Sequence, residues 1–68
     1  MYKLIGLTND GSIFCGMHHT IRTCEETVRD VYQFMHDNSG IQNMVFVALH
    51  NNEYVYLWLC TSNDRHMP

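Results

Sequence analysis

The chain has 68 residues, of which 46% are apolar and 12% aromatic, with only four glycines and one proline. This composition excludes a disordered, collagen-like or low-complexity chain, and the length allows one small domain. Seven acidic against four basic residues give a net charge of -3, which argues against binding to duplex nucleic acid. No apolar stretch reaches the roughly 20 residues of a membrane span or resembles a signal peptide, so we expect a cytoplasmic protein without a membrane partner.

Two short apolar runs begin the chain, over Tyr2–Thr8 and Ser12–His18. The linker Asn9-Asp10-Gly11 separates them, and Asp-Gly between such runs is a strong hairpin signal because glycine adopts positive φ without a steric clash. The sequence therefore predicts a β-hairpin. It is closed either by a two-residue turn or by a three-residue loop with a bulge at Gly11.

The next segment has the periodicity of a helix. Thr23 followed by Glu26 predicts a capping box at its start, and Gly40 suits the left-handed position just past its end. Apolar residues recur at helical spacing between these two signals, at Cys24, Val28, Val31 and Met35, and charged residues occupy the other side.

A second hairpin follows Gly40. The runs Met44–Leu49 and Tyr54–Leu59 are rich in β-branched and aromatic residues, and His50-Asn51-Asn52-Glu53 between them fits a tight turn because Asn tolerates the left-handed region. We assign residues 1–62 to a single domain. Residues 63–68 are polar, end in proline and are expected to form a flexible tail.

The predicted fold class is α+β, with element order ββαββ. Two hairpins form an open four-stranded sheet, mixed or antiparallel, and one helix packs on one face. If both hairpins share the sheet, we expect at least one parallel pair of neighbours, since a crossover helix joins them.

The strands carry apolar residues on both faces, although one helix can cover only one of them. In the last strand Val55, Leu57 and Leu59 alternate with Tyr54, Tyr56 and Trp58, so neither set is polar. A change of register exchanges the two sets without producing a polar face. The sequence therefore predicts an uncovered apolar face of nearly 400 Å², large enough to indicate a contact surface.

We interpret the chain as a small non-enzymatic protein–protein interaction module that forms a homodimer or higher oligomer and binds or inhibits a larger protein. Aromatic residues dominate the energetic centres of such contacts, and acidic residues steer basic partners. The candidate contact residues lie on the sheet (Tyr54, Tyr56, Trp58, Phe46) and on the helix (Tyr32, Glu25, Asp30). A compact chain with no catalytic motif and no export signal also resembles, in general character, many small accessory proteins of phages and mobile elements.

Two alternatives remain open at this stage. An oligomer could enclose a small ligand or nucleotide at a subunit boundary and act as a sequestering protein. The chain could also be a small zinc domain, because thiol and imidazole groups cluster in sequence at Cys15, His18, His19 and Cys24. The spacing lacks the second close pair of a structural zinc site, so no metal is predicted. The sequence also predicts no cofactor and no catalytic residue. Three cysteines without an export signal indicate a reducing compartment.

Overall fold

The computed structural model describes residues 1–61. Four strands form one open sheet in the order β2-β1-β3-β4, and a single helix contacts the first three of these strands. The α+β class and the ββαββ order are confirmed. The predicted tail, residues 63–68, lies outside the described residues. The elements are β1 (Tyr2–Thr8), β2 (Ile13–His18), α1 (Ile21–Ser39), β3 (Asn43–His50) and β4 (Glu53–Thr61).

Every pair of neighbouring strands is antiparallel. The expected parallel neighbours are therefore wrong, and the strand order explains why. The strands β2 and β3, which α1 connects, do run in the same direction, but β1 lies between them and pairs with both. This central position buries one side of β1 at Leu4, Gly6 and Thr8.

The first hairpin closes through a three-residue loop. Gly11 has a φ of 93°, its N–H donates to the Thr8 carbonyl at 3.2 Å, and the Thr8 N–H donates to the Ser12 carbonyl at 3.1 Å. The bulged alternative is thus confirmed. The Asp10 carboxylate accepts from the Thr8 hydroxyl and from the Ser12 N–H, and these hydrogen bonds hold its pKa below the usual 3.8.

The second hairpin closes through a two-residue turn. Asn51 and Asn52 have φ angles of 54° and 67°, and the flanking residues His50 and Glu53 are paired across the strands. Two consecutive left-handed residues match the twist of the strands that they connect. The predicted turn is confirmed.

The helix begins three residues earlier than the sequence indicated. Thr20 is its N-cap, and the Thr20 hydroxyl accepts from the Thr23 N–H at 3.1 Å. The predicted capping box from Thr23 to Glu26 is wrong, because only two residues connect β2 to α1 and the helix starts immediately after them. Its end is as predicted: Gly40 has a φ of 69°, and its N–H donates to the His36 carbonyl at 3.2 Å.

The core lies between α1 and the three strands that it covers. Phe46, fully buried on β3, contacts the Phe14 ring of β2 edge to face, with 6.5 Å between centroids. Gly6 of β1 makes room for it, because a Cβ added there would lie 2.5 Å from Phe46 Cε2. The buried apolar residues are Leu4, Cys24, Val28, Ile41, Met44, Phe46 and Ala48.

Candidate interaction surface

The sheet face opposite α1 is uncovered, and we call it the open face. Side chains alternate between the two faces of a strand, so the residues that alternate with the buried ones form this surface. Among residues 1–61 no element covers it. Its members form three rows across β2, β1, β3 and β4, in that order: Ile13, Leu7, Val45, Leu59; Cys15, Ile5, Val47, Leu57; and Met17, Lys3, Leu49, Tyr54.

The open face is almost entirely apolar, and Lys3 is the only charged residue in its rows. Its large apolar side chains include Ile13 and Leu59, which are 68% and 65% exposed. With Val55, eight such side chains are between 38% and 78% exposed and leave on the order of 100 Å² each, or roughly 800 Å² together. Monomers rarely expose apolar patches above about 600 Å². A standard protein–protein interface buries about 800 Å² per partner.

A bulge divides the candidate aromatic residues of β4 between the two faces. The register shifts between Ala48 and Leu49, so that Tyr54 lies on the open face opposite Leu49. Tyr56 and Trp58 lie on the helix side, where their rings stack with centroids 4.7 Å apart. The three aromatic residues, which strict alternation would place on one face, are therefore divided into an exposed tyrosine on the open face and a stacked pair on the helix side.

Phe46 is a correction to the predicted contact residues. Its side chain is 0% exposed beneath α1, so it belongs to the core and offers no surface to a partner. Phe46 is paired with Trp58, and this side of β3 is the one that the helix covers.

The helix candidates lie on a second surface, away from the open face. Glu25 and Asp30 are exposed on α1, whereas Tyr32 is half-buried and its hydroxyl donates to the Gln42 carbonyl at 2.9 Å. Tyr32 therefore connects α1 to the segment before β3. Glu25 and Tyr32 line the same groove as Trp58 of the sheet, whereas Asp30 lines a different groove.

Two grooves run along α1. The hairpin groove, about 530 Å³, lies between α1 and the β1–β2 hairpin, and Asp30 is the only charged residue that lines it. Its apolar lining comes from Ile13, Phe14, Val31, Phe34, Met35 and Met44. The β4 groove, about 560 Å³, lies between α1 and β4 and is lined by Glu25, Val28, Arg29, Tyr32, Gln33, Trp58, Leu59, Cys60 and Thr61.

The four weak zinc candidates are not brought together. Cys15 is exposed on the open face, and His18 points to the helix side of the same strand. Cys24 is fully buried on α1, where burial raises the pKa of its thiol, and His19 is exposed in the connection to the helix. Within the part of the chain that the structure describes, no three His, Cys, Asp or Glu side chains converge on a metal position.

Sequence reasoning found the uncovered face but missed the residues that form it. Leu7, Ile13 and Met17 were not among the candidates, because the sequence does not state which parity faces the helix. The available signal was the position of the smallest residues. Gly6, Gly16 and Ala48 all lie on the side of the sheet that the helix covers, and the Phe46 ring occupies the space over Gly6.

Comparisons of the chain with protein-family models, curated proteins and solved structures give no significant match. The single helix of residues 1–61 is not long and apolar enough to cross a membrane.

Proposed function

We propose that this chain is a non-enzymatic protein–protein interaction module, which self-associates through the open face and presents its helices to a larger protein that it binds or blocks. The open face carries the proposal. It exposes roughly as much apolar surface as one partner of a standard interface buries. Self-association also enlarges the hydrophobic core of a chain whose length makes its stability marginal.

A second copy suits the open face better than an unrelated cover. A two-fold axis brings the same apolar rows of both copies together, and sheets pack face to face at about 10 Å with interdigitated side chains. Lys3 is the one cation in these rows, and its aliphatic stem can lie along the surface while the ammonium group reaches the rim.

The test is the molar mass in solution. Leu7 lies on the central strand β1 and is 46% exposed, so Leu7→Glu places a charge in the open face without disturbing the core. Sedimentation equilibrium at micromolar concentration is expected to give at least a dimer for the wild-type chain and half of that mass for Leu7→Glu. Asn9→Glu, in the adjacent exposed loop, is the matched control and should keep the wild-type mass. A monomeric wild-type chain, or an unchanged mass for Leu7→Glu, would overturn the proposal.

Binding to a larger protein is supported by the helix surface that a face-to-face dimer leaves outside. This surface exposes the carboxylates of Glu25, Glu26, Asp30 and Asp37 in a chain of net charge -3, which favours a basic partner. The doubly reversed variant Glu26→Lys/Asp30→Lys, which leaves Glu25 in the β4 groove unchanged, is expected to lose a protein that the wild-type chain retains in affinity purification. Equal retention by both would exclude the acidic surface as the contact.

Sequestration of a small apolar ligand is the second candidate, and the hairpin groove favours it. This groove has the volume of a small-molecule site and an apolar lining that includes Phe34, which is 63% exposed. Native mass spectrometry of freshly purified protein tests this candidate. An added mass that Phe34→Asp abolishes would support it, and a mass equal to a whole multiple of the bare chain would exclude it.

A further inference from the structure

The edge strand β4 is apolar on both faces and fully buried on neither, although Trp58 and Cys60 pack partly against the core. Seven consecutive residues, 54–60, are apolar or aromatic, yet no residue of β4 is buried. Tyr56 is 47% exposed on the helix side, and Leu57 and Leu59 are 54% and 65% exposed on the open face. Covering the open face alone would leave the helix side of β4 in contact with water.

The features that normally protect an edge strand are missing from most of β4. Such strands are usually short, bulged, or marked by lysine or proline, because their free N–H and C=O groups otherwise pair with another chain. The strand β4 has nine residues and contains no lysine, arginine or proline, and its one charge is Glu53 at the start. Its bulge lies next to the turn, so residues 56–61 are regular. The opposite edge, β2, has six residues.

The β4 groove shows what is missing on the helix side. The helix makes its main contacts with β1, β2 and β3, which leaves Trp58, on which Tyr56 stacks, in the wall of a groove of about 560 Å³. Glu25 and Arg29 stand one turn apart on the helix wall of this groove. A two-fold rotation reverses the direction of the helix, so Glu25 of each copy would lie opposite Arg29 of the other copy. The wall is therefore complementary in charge to a second copy of itself.

From these observations we infer that β4 pairs edge to edge with β4 of a second copy, antiparallel across a two-fold axis, to form a continuous eight-stranded sheet. Both helices then lie on the same side of that sheet, with the Tyr56 and Trp58 rings of the two copies meeting between them. Antiparallel pairing places the two Glu53 carboxylates at opposite ends of the seam, so no like charges oppose each other. The inference rests on the proposed self-association and adds a second interface to it.

The two interfaces together define the assembly. The edge axis is perpendicular to the sheet and the face axis lies parallel to it, and two perpendicular two-fold axes that intersect generate a closed set of four chains. We therefore expect the wild-type chain to be a tetramer made of two eight-stranded sheets packed face to face, with the helices outside.

Molar mass separates the two interfaces. Tyr56→Lys introduces the charge that protected edge strands carry, on a side chain that is half exposed and outside the core. The wild-type chain is expected to be a tetramer, Leu7→Glu and Tyr56→Lys each a dimer, and the double variant a monomer. Asn38→Lys adds the same charge at the exposed end of α1 and should remain a tetramer. A dimeric wild type with a monomeric Leu7→Glu variant would overturn the edge pairing and leave the face dimer standing.

A second measurement locates the seam without a substitution in β4. In a mixture of isotope-labelled and unlabelled Leu7→Glu chains, only the edge interface holds the subunits together. Filtered nuclear Overhauser spectra are expected to show contacts between backbone protons of β4 in the two chains, and hydrogen exchange at residues 56–59 should slow by at least tenfold relative to Tyr56→Lys. The absence of intermolecular β4 contacts in that dimer would overturn the inference, whereas the face dimer would be judged separately by the wild-type mass.

Discussion

Replacing Gly6 by alanine tests the packing of Phe46 against β1, which fixes the side of the sheet that the helix covers and the side that forms the open face. An added Cβ would lie 2.5 Å from Phe46 Cε2 and 2.8 Å from Cδ2, closer than non-bonded carbon atoms approach. The Phe46 ring cannot swing into solvent, because it is fully buried and has the Phe14 ring beside it. The strand must therefore shift within a close-packed core.

The expected cost follows from two opposing effects. Overpacking a core by one methyl group destabilises a protein by about 1–3 kcal/mol. Alanine also restricts the unfolded chain more than glycine, which returns about 0.4–1 kcal/mol. We therefore expect Gly6→Ala to lower the free energy of unfolding by about 1–2 kcal/mol, measured by urea denaturation at one fixed protein concentration.

Gly16→Ala is the matched control on the neighbouring strand. A Cβ there would lie 3.3 Å from Phe14 Cζ and 3.4 Å from His18 Nε2, on an edge strand whose side chains can move by a few tenths of an ångström. Its effect should stay within about 0.5 kcal/mol. Combining Gly6→Ala with Phe46→Leu, which removes the ring atoms in conflict, should reduce the penalty of Gly6→Ala by about 1 kcal/mol. A neutral Gly6→Ala, or an unchanged penalty in the Phe46→Leu background, would refute the proposed conflict.

Three further predictions concern the helix start, the first loop and the open face. Thr20→Ala should cost about 1 kcal/mol in urea unfolding and Thr23→Ala clearly less; the reverse order would contradict the N-cap assignment. The pKa of Asp10 is lowered in the folded state, so the ionised carboxylate stabilises the fold above about pH 4, and this contribution disappears as the pH falls through the folded pKa. Asp10→Asn should therefore make the free energy of unfolding less dependent on pH in the acid range. An unchanged pH dependence would contradict this prediction. If the open face forms the proposed interface, iodoacetamide should modify the exposed Cys15 faster as the protein is diluted, while the buried Cys24 reacts slowly at every concentration; a Cys15 rate that does not change with dilution would contradict the proposed face-to-face contact.

Local signals in the sequence predicted most of the elements. The Asp10-Gly11 and Asn51-Asn52 pairs marked both hairpins because few residues adopt positive φ, and Gly40 marked the helix end for the same reason. The helix start was misplaced because two threonines, Thr20 and Thr23, stand three residues apart and each can cap. The short connection after β2 decides between them, and that connection is a property of the fold.

The choice of the open face and the bulge in β4 depend on pairing between strands. The sequence indicated an apolar excess on both faces, but the identity of the open face depends on which parity the helix covers. That choice is settled by packing between strands, where Gly6 leaves room for the Phe46 ring and the ring is buried on the helix side. The bulge that separates Tyr54 from Tyr56 has no local signal, because it arises from pairing between β3 and β4.

The central place of β1 also determines how the chain reaches its folded state. Both hairpins and α1 form from residues close in sequence, whereas the seam between β1 and β3 joins Tyr2 to His50 and requires closure of almost the whole described chain. During synthesis the first hairpin, β1 and β2, is complete before β3, the other strand that pairs with β1, has been made. An isolated two-stranded hairpin is at best marginally stable in water. Docking of the β3–β4 hairpin onto β1 should therefore limit the folding rate. Until that step, the apolar side chains of the β1–β2 hairpin remain exposed to solvent and accessible to chaperones.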